Sequence, residues 1–251
     1  MSFEADRRTA FLGIGAAALA VASATRAAAA DTSAAEGATL AELSARLSKA
    51  PRRRDFKTVP MILDNPDQWD ADALNELIAY KGGPRQVWNN VDLTGPWLNV
   101  MRNSLNTQIF SFGHRDFLAV SATHGPAHLA LIDQAMWDKY NLADFAGGAK
   151  SNTLIVRKDA AGSGDGWKGP LGPAGNTIPA LQERGVVFMA CHNAIWELSE
   201  KLLAKNVNPD KLSAEAMAAE LTNHLVEGAV LTPGIVATVV ELQQVGYHYA
   251  S

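Results

Sequence analysis

The sequence predicts an α/β domain with a mainly parallel sheet of four or five strands, preceded by a helical arm. Three observations carry this. Short apolar runs recur in FLAVSATHG, VVFMA and GAVLTPG. Each is followed by a stretch with apolar residues at helical spacing. Glycine or proline marks the junctions. Strands that alternate with helices make βαβ units, and parallel strands covered on both faces read as near-continuous apolar runs.

The elements follow in order. Leu40, Leu43 and Leu47 stand at helical spacing, so a short amphipathic helix is expected there. The run Arg52-Arg53-Arg54 reads as a solvated arm rather than an anion patch. Asp70 can cap a helix that turns Leu74, Leu77 and Ile78 one way, and Lys81-Gly82-Gly83-Pro84 ends it. RQVWNNVD is a first strand. Pro96 then starts a helix with Trp97, Met101 and Leu105 recurring at i+4. FLAVSATHG is a second strand, and Pro126 opens a helix carrying Leu129, Ile132 and Met136. TLIV at 153–156 is a minor strand candidate, and 159–176 is loop by composition. IPALQERG is a short helix stopped at Gly185. VVFMA is the strongest buried-strand signal. Its helix carries Ile195, Leu198 and Leu202 inward, and Ser213 caps the next helix, with Met217 and Leu221. GAVLTPG is a fourth strand, Ile235, Val239 and Leu242 line a last helix closed by Gly246, and YHYA is a final strand.

Composition narrows the function classes. The 251 residues are 47% hydrophobic, with a formal net charge of −4 and one cysteine. No broad basic field is present, so nucleic acid is not an expected partner. A lone cysteine excludes an intrachain disulfide framework and any CxxC pair. The N-terminus reads as an address. Arg7-Arg8 precedes Phe11-Leu12 and an alanine- and glycine-rich run of about 14 residues, then Ala28-Ala29-Ala30 fits a small-residue cleavage site. This pattern resembles a twin-arginine signal peptide. The run is shorter than the ~20 residues a membrane-spanning helix needs. Residues 1–30 are therefore expected to be removed after export to the periplasm, with no stable membrane span left. Residues 31–84 form the N-terminal extension, its first residues a mobile tail, and 85–251 the α/β domain.

Ligands of open parallel sheets bind beyond the carboxyl ends of the strands. Those ends bring a short set of residues to one predicted edge: Asn89-Asn90, Thr123-His124, Cys191-His192-Asn193 and Thr232-Pro233-Gly234. Cys191 precedes a helix, whose N-terminal dipole favours a thiolate able to take up sulfur, react with an electrophile or bind a soft metal. A buried structural cysteine is the competing reading. HGPAH places His124 and His128 at i,i+4, but Pro126 puts His124 before the helix and His128 in its first turn. A zinc site from His124, His128, Cys191 and His192 is thus weaker than histidines bonded to the strand ends. No P-loop, dinucleotide fingerprint or GxSxG elbow is present, GSGDG reads as surface loop, and no cofactor is expected. Trp88, Trp97, Trp137 and Trp196 read as core or interface residues.

GVVFMACHNAI and the closing VLTPGIVATVVELQQVGYHYA resemble the DsrE/DsrF-like sulfur-relay superfamily over roughly residues 85–250. Matching positions are Cys191, Asn193, Pro233, Gly234, Leu242, Gln243, Gly246, Tyr247 and Tyr249. The resemblance implies a flavodoxin-like three-layer sandwich, a trimer or hexamer, and a cysteine at position 191 that accepts and passes on a persulfide. The leading expectation is an exported sulfur-handling protein. Cys191 carries the persulfide, His124 and His192 tune it, and Asn193 orients the loop. Its partner is then a small sulfur species. The alternatives are a non-catalytic periplasmic binder of a small ligand or metal, using Asn90, Thr123, His128 and Thr232 at the same edge, and an oligomeric interaction protein.

Overall fold

The computed structural model describes residues 39–157 and 169–251. The signal-like segment 1–30, the tail 31–38 and GSGDG lie outside the described residues. Helix α1 covers 39–49. It is followed by α2 (Ala71–Ala79), β1 (Arg85–Asn90), α3 (Trp97–Asn106), β2 (Leu118–Thr123), α4 (Gln134–Lys139), α5 (Ile178–Gln182), β3 (Val187–Cys191), α6 (His192–Ala204), α7 (Ala214–Asn223), β4 (Val230–Thr232), α8 (Ile235–Gln244) and β5 (His248–Ala250). The five strands are all parallel, in the order β4-β3-β2-β1-β5. The architecture is the three-layer α/β sandwich that the sequence predicts.

Side chains alternate across the sheet, as the twofold strand period requires. Trp88, Ala119, Phe188, Ala190 and Leu231 point to a layer containing α3 to α7. Val87, Leu118, Val120, Val187, Met189, Cys191 and Val230 point to the opposite layer, formed by α1, α2 and α8. All six residues of the central strand β2 are buried. The N-terminal helices are thus part of one covering layer: Leu43, Leu74 and Leu77 bury against the sheet beside Ile235 and Leu242. The burial of each such leucine or isoleucine contributes about 1.5–3 kcal/mol. The four tryptophans read as core or interface residues are all buried.

Several local expectations are corrected. TLIV forms no strand. Thr153–Ile155 is a 3₁₀ turn, capped by Asn152, whose amide donates to the carbonyls of Ala130 and Ile132 at 2.9 Å each. The helix expected from Pro126 through Met136 is broken in two. Gly125–Leu131 is a 3₁₀ helix, Ile132 leaves it to form a bridge with Leu225, and Asp133 starts α4 by accepting the Met136 amide at 3.0 Å. Asp70 stands at the N-cap of α2, but its carboxylate does not cap. It is held by Arg54 Nη2 at 2.8 Å and by the Leu231 amide at 2.7 Å, and the Asp70 amide in turn donates to Leu231 O. Arg52 and Arg54 are consequently half-buried rather than solvated, and the segment they lie on closes the outer edge of β4.

Candidate functional site

The connections set where a ligand crevice lies. The chain leaves β3 into α6 in one layer and leaves β4 into α8 in the other. Between the carboxyl ends of these neighbouring strands the topology switches, and crevices of parallel sheets form at such points. Cys191 ends β3 and pairs in register with Thr232 at the end of β4.

Cys191 is 5% exposed. Its side chain shares a face with Val187 and Met189, so Sγ turns toward α8 and accepts the Ile235 N–H at 3.5 Å. Ile235 is the first residue of α8, and Cys191 is itself the N-cap residue of α6. The sulfur therefore lies beside the first turn of α8, at a residue that also leads into α6. Asn193 is exposed. Its Nδ2 lies 2.9 Å from where a Cβ on Gly234 would stand, so the asparagine occupies the space a side chain there would need.

None of the three edge histidines is hydrogen-bonded to the sulfur. His124 Nε2 pairs with Asn89 Oδ1 at 2.8 Å. His192 Nε2 donates to Pro60 O at 2.8 Å, which leaves its buried Nδ1 unpartnered. His128 is buried with neither ring nitrogen hydrogen-bonded. Burial, and then the charges of His124 and His192, push its pKa down to about 3. Burial lowers His124, partly offset by Glu197, and it lowers His192 against the opposing pull of the Pro60 and Met61 backbone. His192 is thus a neutral donor to the Pro60 carbonyl. The twofold period of β3 turns Cys191 toward α8 and away from His192 and His128, which lie on the α6 side. Among the described residues Cys191 hydrogen-bonds to no histidine, and no three His, Cys, Asp or Glu side chains are grouped to hold a metal ion.

The remaining edge residues are spent inside the protein. Asn90 Nδ2 donates to Ser121 Oγ at 2.7 Å, and Ser121 Oγ bonds Thr123 Oγ1 at 2.7 Å, with Asn90 and Thr123 both buried. Thr232 Oγ1 donates to Ala190 O at 3.1 Å, which turns its hydroxyl onto β3. His128, among the four expected ligand contacts, lines a cleft. This cleft, of about 120 Å3, lies between the Gly125–Leu131 turn and α6, and is lined by Gly125, His128, Phe145, Glu197 and Lys201 among others. Ala194, Glu197, Leu198 and Lys201 line it at i, i+3, i+4 and i+7, a spacing legible in the sequence but not singled out there. Ile235 had no such signal, because its contribution is a backbone amide. A larger cleft, about 700 Å3, opens at the amino end of β3 and shares no lining residue with the carboxyl edge.

Comparison with protein families, with curated proteins and with solved structures finds no match to this chain.

Proposed function

We propose that the protein is an exported sulfur handler in which Cys191 takes up a sulfane sulfur. The observation that carries the reading is the position of Sγ at the β3–β4 switch point, where it accepts the first amide of α8. The sequence resemblance to sulfur-relay proteins around Cys191 and along the C-terminal helix supports the same reading, and Arg7-Arg8 supports export. In the reaction the Cys191 thiolate attacks the outer sulfur of a donor persulfide. A new S–S bond forms, the donor's S–S bond breaks, the donor leaves as a thiolate, and the proton stays on the transferred sulfur. The Ile235 amide would hold the attacking sulfur, and Asn193 would gate the approach.

Intact-mass analysis of the folded protein after exposure to a low-molecular-weight persulfide tests this. One added sulfur atom, absent in Cys191→Ser, is expected. A thiol that stays unmodified and reacts with iodoacetamide only in denaturant overturns the reading and assigns Cys191 to the core.

A second reading rests on His128. A ring with two unpartnered nitrogens beside a small cleft is suited to a small neutral ligand with hydrogen-bonding groups. Binding that persists in Cys191→Ser and is lost in His128→Leu would favour it.

A further inference from the structure

Away from the carboxyl edge, two arginines are buried together without a countercharge. Arg102, on α3, is 3% exposed, and Arg184, between α5 and β3, is half-buried. Their partners are neutral amides. Arg102 Nη2 donates to Asn99 Oδ1 at 2.9 Å and Asn103 Oδ1 at 2.7 Å, and Arg184 Nη2 donates to Asn106 Oδ1 at 2.8 Å. Arg102 Nε and Nη1 and Arg184 Nη1 are buried and unpartnered. Among the described residues no carboxylate pairs with either, whereas the half-buried Arg52 and Arg54 share Asp70. Burial lowers the pKa of both guanidiniums, and the Arg102 charge lowers that of Arg184 further. Unpaired buried charge is strongly unfavourable, and two of like sign more so. One acceptor is also left over: Asn176 Nδ2 shares Asn99 Oδ1 with Arg102, at 3.3 Å, while Asn176 Oδ1 is buried and unpartnered.

We propose that Arg102, Arg184 and Asn176 form a binding site for a phosphate-class oxyanion, either inorganic phosphate or the end group of a phosphate monoester. The unpartnered N–H groups of both arginines match the acceptor oxygens of such an anion, and guanidinium is the side chain best suited to it. The free Asn176 oxygen adds a second requirement. It accepts a hydrogen bond from a ligand that still carries an O–H, as hydrogen phosphate does at neutral pH and a phosphate monoester does in its singly ionised form, and as sulfate does not. Arg184 is the more exposed of the two arginines. The site does not depend on the chemistry at Cys191.

The test is isothermal titration calorimetry of the purified protein with inorganic phosphate, phenyl phosphate and sulfate at matched ionic strength. Saturable binding of phosphate or phenyl phosphate is expected, the tighter of the two naming the source. Sulfate should bind more weakly by at least about tenfold, the equivalent of one lost hydrogen bond to a charged group. Arg102→Met and Arg184→Gln should each weaken phosphate binding by a similar factor. If Arg102→Met does not fold, the half-buried Arg184→Gln carries the test alone. No binding above the salt control, equal binding of sulfate, or unchanged affinity in a folded arginine variant would overturn the proposal. Cys191→Ser should bind phosphate like the parent, so failure of the sulfur reading leaves this result interpretable.

Discussion

Cys191 Sγ and the backbone amide of Ile235 meet at 3.5 Å across the β3–β4 switch point, joining the end of one strand to the start of the helix that follows its neighbour. The contact predicts an order of stabilities. Serine can still accept the Ile235 amide, so Cys191→Ser should lose less than about 1 kcal/mol. Alanine leaves that amide unpartnered and should lose about 1–2 kcal/mol. Urea denaturation of both variants measures this, and an alanine variant as stable as the serine variant contradicts it.

Asn193 lies against Gly234, next to the residue whose amide meets the sulfur. Shortening it in Asn193→Ala removes the group that sits against Gly234 and should speed iodoacetamide labelling of Cys191 in the native state. Stability should change by no more than about 0.5 kcal/mol, because Asn193 is exposed. An unchanged labelling rate would place the approach to the sulfur elsewhere.

Asp70 predicts a larger effect. Its side chain is 1% exposed and holds Arg54, Arg52 and the Leu231 amide together. Asp70→Asn removes the charge but not the bulk, and leaves two half-buried arginines unpaired. A loss of about 3 kcal/mol is expected. Limited trypsin digestion should then cut at Arg52–Arg54 before the rest of the chain, and a variant that resists trypsin like the parent would show that the arm is held by other contacts.

His128 ties stability to acid pH. Its folded pKa of about 3 lies below the ordinary value of 6.5. A depressed folded pKa means that the unfolded chain binds the proton more readily. The stability is therefore fully present above pH 6.5 and is lost as pH falls toward 3. The slope from this one group reaches at most about 1.4 kcal/mol per pH unit. His124 and His192, shifted in the same direction, steepen the same window. His128→Leu should flatten it and should add about 1 kcal/mol at neutral pH by removing a buried unpaired ring. Denaturation midpoints at several pH values check both, and a parallel pH profile for parent and variant refutes the assignment.

The fold was legible where a local pattern and its burial agreed. VVFMA, FLAVS and the helices marked by Trp97-Met101-Leu105 and Ile195-Leu198-Leu202 stand where periodicity placed them. Periodicity misled where a tertiary partner outcompeted it. Ile132 fits a helical stripe but bridges to Leu225, and Asp70 fits a cap but binds arginines 16 and 18 residues upstream. At the carboxyl edge, sequence brought Cys191 and the histidines together because it counts strand ends. It could not assign faces, and the two faces of β3 divide Cys191 from His192 and His128. The Ile235 amide and the Arg102–Arg184 pair were hidden for another reason. The first is main chain, and the second joins residues 82 positions apart through neutral asparagines that no motif marks.

The closure of β4 has a geometric consequence for how copies of this chain can add to one another. A sheet grows sideways through unpaired edge strands, and a chain with two such edges can polymerise without limit. Here one edge is sealed by the segment that ends at Asp70, and only β5, with its half-exposed Tyr249, presents an outer edge with no strand beside it among the described residues. Among the described residues, sideways addition of strands is therefore left to β5 alone.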